Sequence, residues 1–188
     1  MAQLYLAYFL LILFCLLEVI LRKDGLAKST CHTPTDKDST KLIGLAFVLI
    51  LLSSVILQIF QWGTFHSSII NFIGVAIMLI GLVIRVWSMI TLRQFYSRTL
   101  VITQDHRLVK KGPYSVIRHP GYLGTILVWT AAGLAMQNFL VFAVSAILMP
   151  IVYGYRIHHE EKMLAAQFGE EYVACRKRSW KLVPFIFF

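Results

Sequence analysis

From Leu42 to Ile84 the chain carries no Asp, Glu, Lys or Arg. An apolar helix of ~20 residues crosses the ~30 Å of hydrocarbon in a bilayer, so this run is too long for one crossing. The polar stretch "QWGTFHSS" (Gln61 to Ser68) divides it into spans of roughly 42–61 and 69–92. A second long run without these four residue types extends from His119 to Tyr155, with Gln137-Asn138 near its middle. That pattern predicts a tight hairpin of about 120–136 and 139–156, its arms short for a full crossing and the second holding Pro150. Residues 2–21 make a further apolar run with no basic segment before it and no small-residue cleavage site after it. It reads as a retained helix rather than a removable leader.

The expected architecture is an all-α integral membrane protein with about five transmembrane helices. Charged residues make up 14% of the chain, against about 25% in soluble domains. At 188 residues the length fits a single membrane domain, 1–188, with three spans in 1–92 and the remaining chemistry in 93–188. The net charge of +9 could point to nucleic acid, but the cations lie in connections beside apolar spans. Membrane orientation and anionic lipid headgroups explain that placement better.

The positions of the cations test the topology. Arg22, Lys23, Lys28, Lys37 and Lys41 occupy the connection 22–41, and Arg93, Arg98, Arg107, Lys110, Lys111 and Arg118 the connection 93–118. Arg156, Lys162, Arg176, Lys177, Arg178 and Lys181 follow the last span, while the turns 62–68 and 137–138 hold none. The positive-inside rule then puts the N-terminus outside, and the C-terminus with all the long polar segments in the cytoplasm. Two charges, Glu18 and Arg85, fall within spans, where they are expensive unless paired or near water; a structural pair and a substrate contact both fit them. Trp62, Trp129 and Trp180 are expected to anchor interfaces or pack. Cys15, Cys31 and Cys175 form no CxxC pair, and no disulfide or metal site is expected from them.

Two segments carry chemistry. In the first, "KKGPYSVIRHPGYLGT" (Lys110 to Thr125), Gly112 and Pro113 make a turn and Pro120 sits in the first turn of a helix. His106, Tyr114, His119 and Tyr122 are polar aromatics interleaved with Gly112, Gly121 and Gly124. Flat hydrogen-bonding side chains beside glycines suit a purine-bearing cofactor, and helix N-terminal amides near 119–122 would favour a carboxylate. An ordinary basic loop is the plainer alternative. The second segment, "YRIHHEEKMLAAQFGEEY" (Tyr155 to Tyr172), predicts a C-terminal amphipathic helix interrupted or capped at Gly169. Arg156 and Glu160 share a face at i,i+4, as recognition groups or as a surface salt bridge. His158 and His159 point to different faces, which argues against a metal site.

"HRLVKKGPYSVIRHPGYLG" (His106 to Gly124) and "EEKMLAAQFGEEYVAC" (Glu160 to Cys175) resemble the isoprenylcysteine carboxyl methyltransferase family and its phospholipid methyltransferase relatives. The family's His-x-Leu-Val, Gly-x-Tyr, Arg-His-Pro-x-Tyr-x-Gly, Glu-Glu and Phe-Gly-x-x-Tyr pieces stand in order and spacing over residues 93–182. The N-terminal half is similar only in being hydrophobic spans. The resemblance implies S-adenosylmethionine as cofactor, held by a cytoplasmic loop. By position, Gln104, His106, Arg107, Leu108, Val109 and Tyr114 would line it, with His119, Pro120, Gly121, Tyr122 and Glu160. Arg156 falls where the family holds its substrate, so Arg156 and Glu160 are the catalytic candidates.

The implied reaction is carboxyl O-methylation of an isoprenylcysteine-like acceptor that enters from the bilayer, with neither metal nor nucleic acid as partner. A carboxylate is already ionised and needs no general base, and Arg156 could hold it by a charge-assisted fork. N-, O- or S-methylation of another lipid uses the same cofactor pieces. An NADPH-dependent sterol-type reductase carries a similar Arg-His-Pro segment, usually on a longer chain. A non-catalytic lipid-binding protein would be expected to have lost several of these residues.

Overall fold

The computed structural model describes residues 2–23, 38–92 and 108–184. Gln104, His106 and Arg107, three of the expected cofactor residues, lie outside the described residues, as do Cys31 and most of both long polar connections. Six α-helices follow in order among the described residues: α1 (Ala2–Lys23), α2 (Ser39–Ile59), α3 (Ser68–Leu92), α4 (Pro120–Ala135), α5 (Phe139–Phe168) and α6 (Glu170–Arg178). A short 3-10 helix, Gly112–Ser115, precedes α4. The protein is an α-helical integral membrane protein.

Four of these helices, α1, α2, α3 and α5, are long and apolar enough to cross a membrane. The expected fourth arm, α4, has 16 residues, about 24 Å of helix at 1.5 Å per residue, short of a full hydrocarbon core. The expected breaks fall where polar residues stand: α2 ends at Ile59 and α3 begins at Ser68. α4 and α5 form the hairpin, and Asn138 is the N-cap of α5, its side chain accepting from the Val141 N–H at 3.1 Å. The last span continues into the amphipathic segment, as its helical spacing suggested. The last span and the amphipathic segment are a single 30-residue helix that continues through Pro150. The apolar side chains give way to charged ones past Tyr155, but nothing there interrupts the backbone ladder until Gly169 takes φ +50°.

Packing centres on α3 and α4, which approach closely because glycines face each other. A Cβ on Gly81 would lie 2.8 Å from the Gly124 carbonyl oxygen, and one on Gly124 2.6 Å from that of Gly81. Small residues at such crossings let dispersion act where lipid gives no hydrophobic drive between helices. Trp129 of α4 is fully buried, stacked on Phe47 of α2 at 4.2 Å and edge-on to Phe14 of α1 at 6.2 Å. It is a core residue, whereas Trp62 lies exposed in the 62–68 turn. The pair Glu18–Arg85 also joins α1 to α3, the Arg85 Nε donating to the Glu18 carboxylate with both side chains largely buried.

At the hairpin end, polar groups tie the two turns together. The Asn138 amide donates to the Trp62 carbonyl at 3.0 Å, Gln137 to that of Ser67 at 3.1 Å, and Gln58 to that of Met136 at 2.9 Å. Asn138 is wholly buried. Asn138→Ala removes a helix cap and leaves the Trp62 carbonyl without that donor, for an expected loss of about 2–3 kcal/mol. Asn138→Asp keeps the cap acceptor and should lose less. Thermal unfolding in detergent checks the order, and equal melting temperatures for wild type and Asn138→Ala would contradict it.

Candidate active site

The end of the molecule away from that hairpin turn gathers the singled-out side chains. Gly112, at φ +56°, bends the chain beside Thr91, and Pro113 starts the 3-10 turn that brings Tyr114 up to α4. The Tyr114 hydroxyl lies 3.9 Å from where a Cβ on Gly121 would stand, and the Arg85 Nη1 2.9 Å from it. Glycine at this position therefore lets the Arg85 guanidinium and the Tyr114 hydroxyl come up against the first turn of α4. His119 is the N-cap residue and Pro120 the first helical residue, where a missing N–H costs nothing. The buried His119 ring stacks on Tyr122 at 5.6 Å with planes 6° apart, and Tyr122 meets Tyr153 of α5 at 5.1 Å.

Arg156 reaches this aromatic wall from α5. Its Nε donates to the Tyr122 hydroxyl at 2.8 Å, and its Nη1 donates to Ser39 Oγ at 2.9 Å and Thr40 Oγ1 at 3.1 Å at the start of α2. Its Cζ stands 5.7 Å from the Tyr122 ring centre. At 3% exposure Arg156 is no surface cation, which disposes of the exposed salt bridge that its spacing to Glu160 allowed. One turn on, the Oε2 of Glu160 is buried without a hydrogen-bond partner and lies 3.7 Å from His119 Nδ1. An orphaned acceptor of this kind costs free energy unless something donates to it, so it points to a ligand.

The structure thus brings Tyr114, His119, Pro120, Gly121, Tyr122, Arg156 and Glu160 together. Leu108 and Val109 are half-buried in the irregular segment leading to the turn. Three contributors escaped the sequence reading. Ser39 and Thr40 hold Arg156 from a distant helix, and only their place at a helix start marks them. Glu161 accepts from Arg118 Nε at 2.9 Å and faces His119 Nε2 at 3.3 Å. The available signal was the doublet Glu160-Glu161 opposite the doublet Arg118-His119. Beside them, burial pushes the Tyr172 phenol up and the Glu161 carboxylate adds to that, so Tyr172 stays neutral.

Comparison with known proteins identifies the family. The sequence profile of the isoprenylcysteine carboxyl methyltransferase (ICMT) family matches residues 73–166. Protein-S-isoprenylcysteine O-methyltransferase B of Arabidopsis thaliana is 31% identical over 159 residues, covering 79% of this chain and 78% of its own. A probable protein-S-isoprenylcysteine O-methyltransferase of Oryza sativa subsp. japonica is 29% identical, with 62% of each chain covered. The solved structure of the eukaryotic intramembrane Ras methyltransferase ICMT superposes with a TM-score of 0.67 at 20% identity, over 91% of this chain. That likeness is one of fold, and the chain spans 61% of the length of that structure's chain. With half the chain under the profile and a relative matched along most of its length, this membrane-embedded methyltransferase belongs to the isoprenylcysteine carboxyl methyltransferase family.

Proposed function

We propose that the protein methylates the carboxylate of a lipophilic, isoprenylcysteine-like acceptor, with S-adenosylmethionine as donor. The observation that carries this reading is the buried Arg156 guanidinium, fixed by Tyr122, Ser39 and Thr40 one helical turn from the orphaned Glu160 oxygen. The donor set fits such a cofactor. Glu160 Oε2 is an open acceptor for an ammonium. His119, Pro120, Gly121, Tyr122, Tyr114 and Glu160 would hold it, with Leu108 and Val109, and with Gln104, His106 and Arg107 supplied from the loop before. Bound there, it supplies an electrophilic sulfonium methyl.

The remaining work falls to the chain. Arg156 binds and orients the acceptor carboxylate by charge-assisted hydrogen bonds, and no proton has to be removed from an acceptor already ionised. Tyr122 turns the guanidinium edge toward the site, and its ring, with those of His119 and Tyr153, keeps water from it. The lipid part of the acceptor reaches the site sideways between helices. The cation distribution supports a cytoplasmic location for this end of a single membrane domain, 1–188, and an N-terminus outside.

The purified protein is expected to bind S-adenosylhomocysteine saturably in the micromolar range and NADPH not at all. Calorimetry decides this, and no binding of the first would overturn the reading of the donor. With methyl-labelled S-adenosylmethionine and a farnesylcysteine analogue, the product label should be base-labile, as a carboxyl ester is. Base-stable label on a membrane lipid would instead assign an N-, S- or ether O-methyl acceptor.

A further inference from the structure

Arg118 has an unusual environment for a charge at a membrane edge. Its side chain is 4% exposed and that of Glu161 11%. Besides donating to Glu161, Arg118 sends Nη1 to the Arg176 carbonyl at 3.2 Å and to that of Ser179, at the end of α6. The backbone repeats the contact. The Arg118 N–H donates to the Trp180 carbonyl at 2.8 Å, His119 N–H to that of Lys181 at 3.2 Å, and Trp180 N–H to that of Val116 at 3.0 Å. The segment after α6 thereby pairs with the chain that enters α4. A guanidinium so enclosed has a fixed orientation, and Glu161 Oε1, bonded to it, is fixed as well.

The consequence falls on His119. An ionised carboxylate only accepts, so the His119 Nε2 facing Glu161 must carry its hydrogen, whatever the charge of the ring. That sets the ring's orientation and turns Nδ1 toward Glu160. The two adjacent glutamates then differ in role: one is occupied by Arg118 and His119, and the other keeps an open oxygen.

We propose that Arg118 and Glu161 are positioning residues of the methyl-donor site: they lock the His119 ring and, through the Ser179–Lys181 segment, brace the turn that carries it. This rests on the reading above in which His119 and Glu160 face the donor. Neither residue needs to touch the ligand, and partners of this kind typically change affinity about 10–100-fold when replaced.

The test combines a coupling measurement with a spectroscopic one in detergent. Glu161→Gln is expected to weaken S-adenosylhomocysteine binding about tenfold while the KM for a farnesylcysteine analogue stays within about twofold. The double variant Glu161→Gln/His119→Ala should bind no more weakly than His119→Ala alone, because Glu161 acts through the ring. Additive losses, or an unchanged affinity in folded Glu161→Gln, would overturn the proposal. Nitrogen-15 histidine spectra should show a protonated His119 Nε2 whose resonance moves in Glu161→Gln while His158 and His159 stay put. A His119 resonance indifferent to Glu161 also overturns it. That spectrum needs no donor, so the positioning role is decided even if S-adenosylhomocysteine fails to bind and the donor assignment falls. Arg118→Lys, which keeps the charge and loses the fork, serves if Glu161→Gln does not fold, with the same expected outcomes.

Discussion

Arg156→Ala is expected to lower kcat/KM for the lipophilic acceptor by about two to three orders of magnitude while S-adenosylhomocysteine affinity changes less than about threefold. Truncating a buried, hydrogen-bonded charge that meets an opposite charge costs about 2–5 kcal/mol, and each ~1.4 kcal/mol is tenfold. Arg156 meets the requirement for a full-sized effect, because it is buried and its guanidinium is oriented by the hydroxyls of Tyr122, Ser39 and Thr40. Arg156→Lys keeps the charge but loses the planar fork, and should recover only part of the activity. Steady-state kinetics with a farnesylcysteine analogue, beside calorimetry with S-adenosylhomocysteine, reads both quantities. Equal loss of acceptor use and donor binding would contradict the role given to Arg156.

The second large effect is on stability. Removing either Glu18 or Arg85 takes the ion-pair partner from the other buried charge, and breaking a buried pair by one partner typically costs about 3–5 kcal/mol. Arg85→Ala and Glu18→Ala are both expected to unfold at clearly lower temperature in detergent. The double variant Glu18→Leu/Arg85→Met should recover most of the loss, since it leaves no unpaired charge. Arg85 also lies against Gly121, so its guanidinium fills space at the first turn of α4. Arg85→Ala that melts like wild type yet loses activity would show a contact with substrate rather than a structural pair.

Local signals in the sequence located the helices well. Gln61 to Ser68, Gln137-Asn138, Pro120 and Gly169 each act on the backbone within a few residues, and each marks a boundary in the structure. The site divides along the same line. His119, Tyr122, Arg156 and Glu160 sit in recognisable motifs, and the structure gathers them. What the motifs could not convey was partnership across long sequence distances. Arg156 finds its hydroxyls at Ser39 and Thr40, and Arg118 finds Glu161 and the Ser179 carbonyl. A sequence lists charges without saying which will be enclosed together. The continuation of α5 beyond the apolar span was legible, because the helical spacing of Met163, Leu164 and Phe168 carries on to Gly169. A change from apolar to charged side chains marks where a helix leaves lipid, not where its hydrogen-bond ladder stops.

The hairpin of α4 and α5 has a mechanical consequence. Its two arms are joined at Asn138, while His119 and Tyr122 ride near the free end of one arm and Arg156 and Glu160 lie far along the other. From Phe139 to Arg156 the lever is about 26 Å, so an angular change of about 2° at the fulcrum shifts one jaw by about 1 Å. Misplacement of that size can slow a reaction about a hundredfold. The polar knot at the far turn, remote from any chemistry, therefore sets the gape of the site as a pivot pin sets the jaws of a pair of pliers.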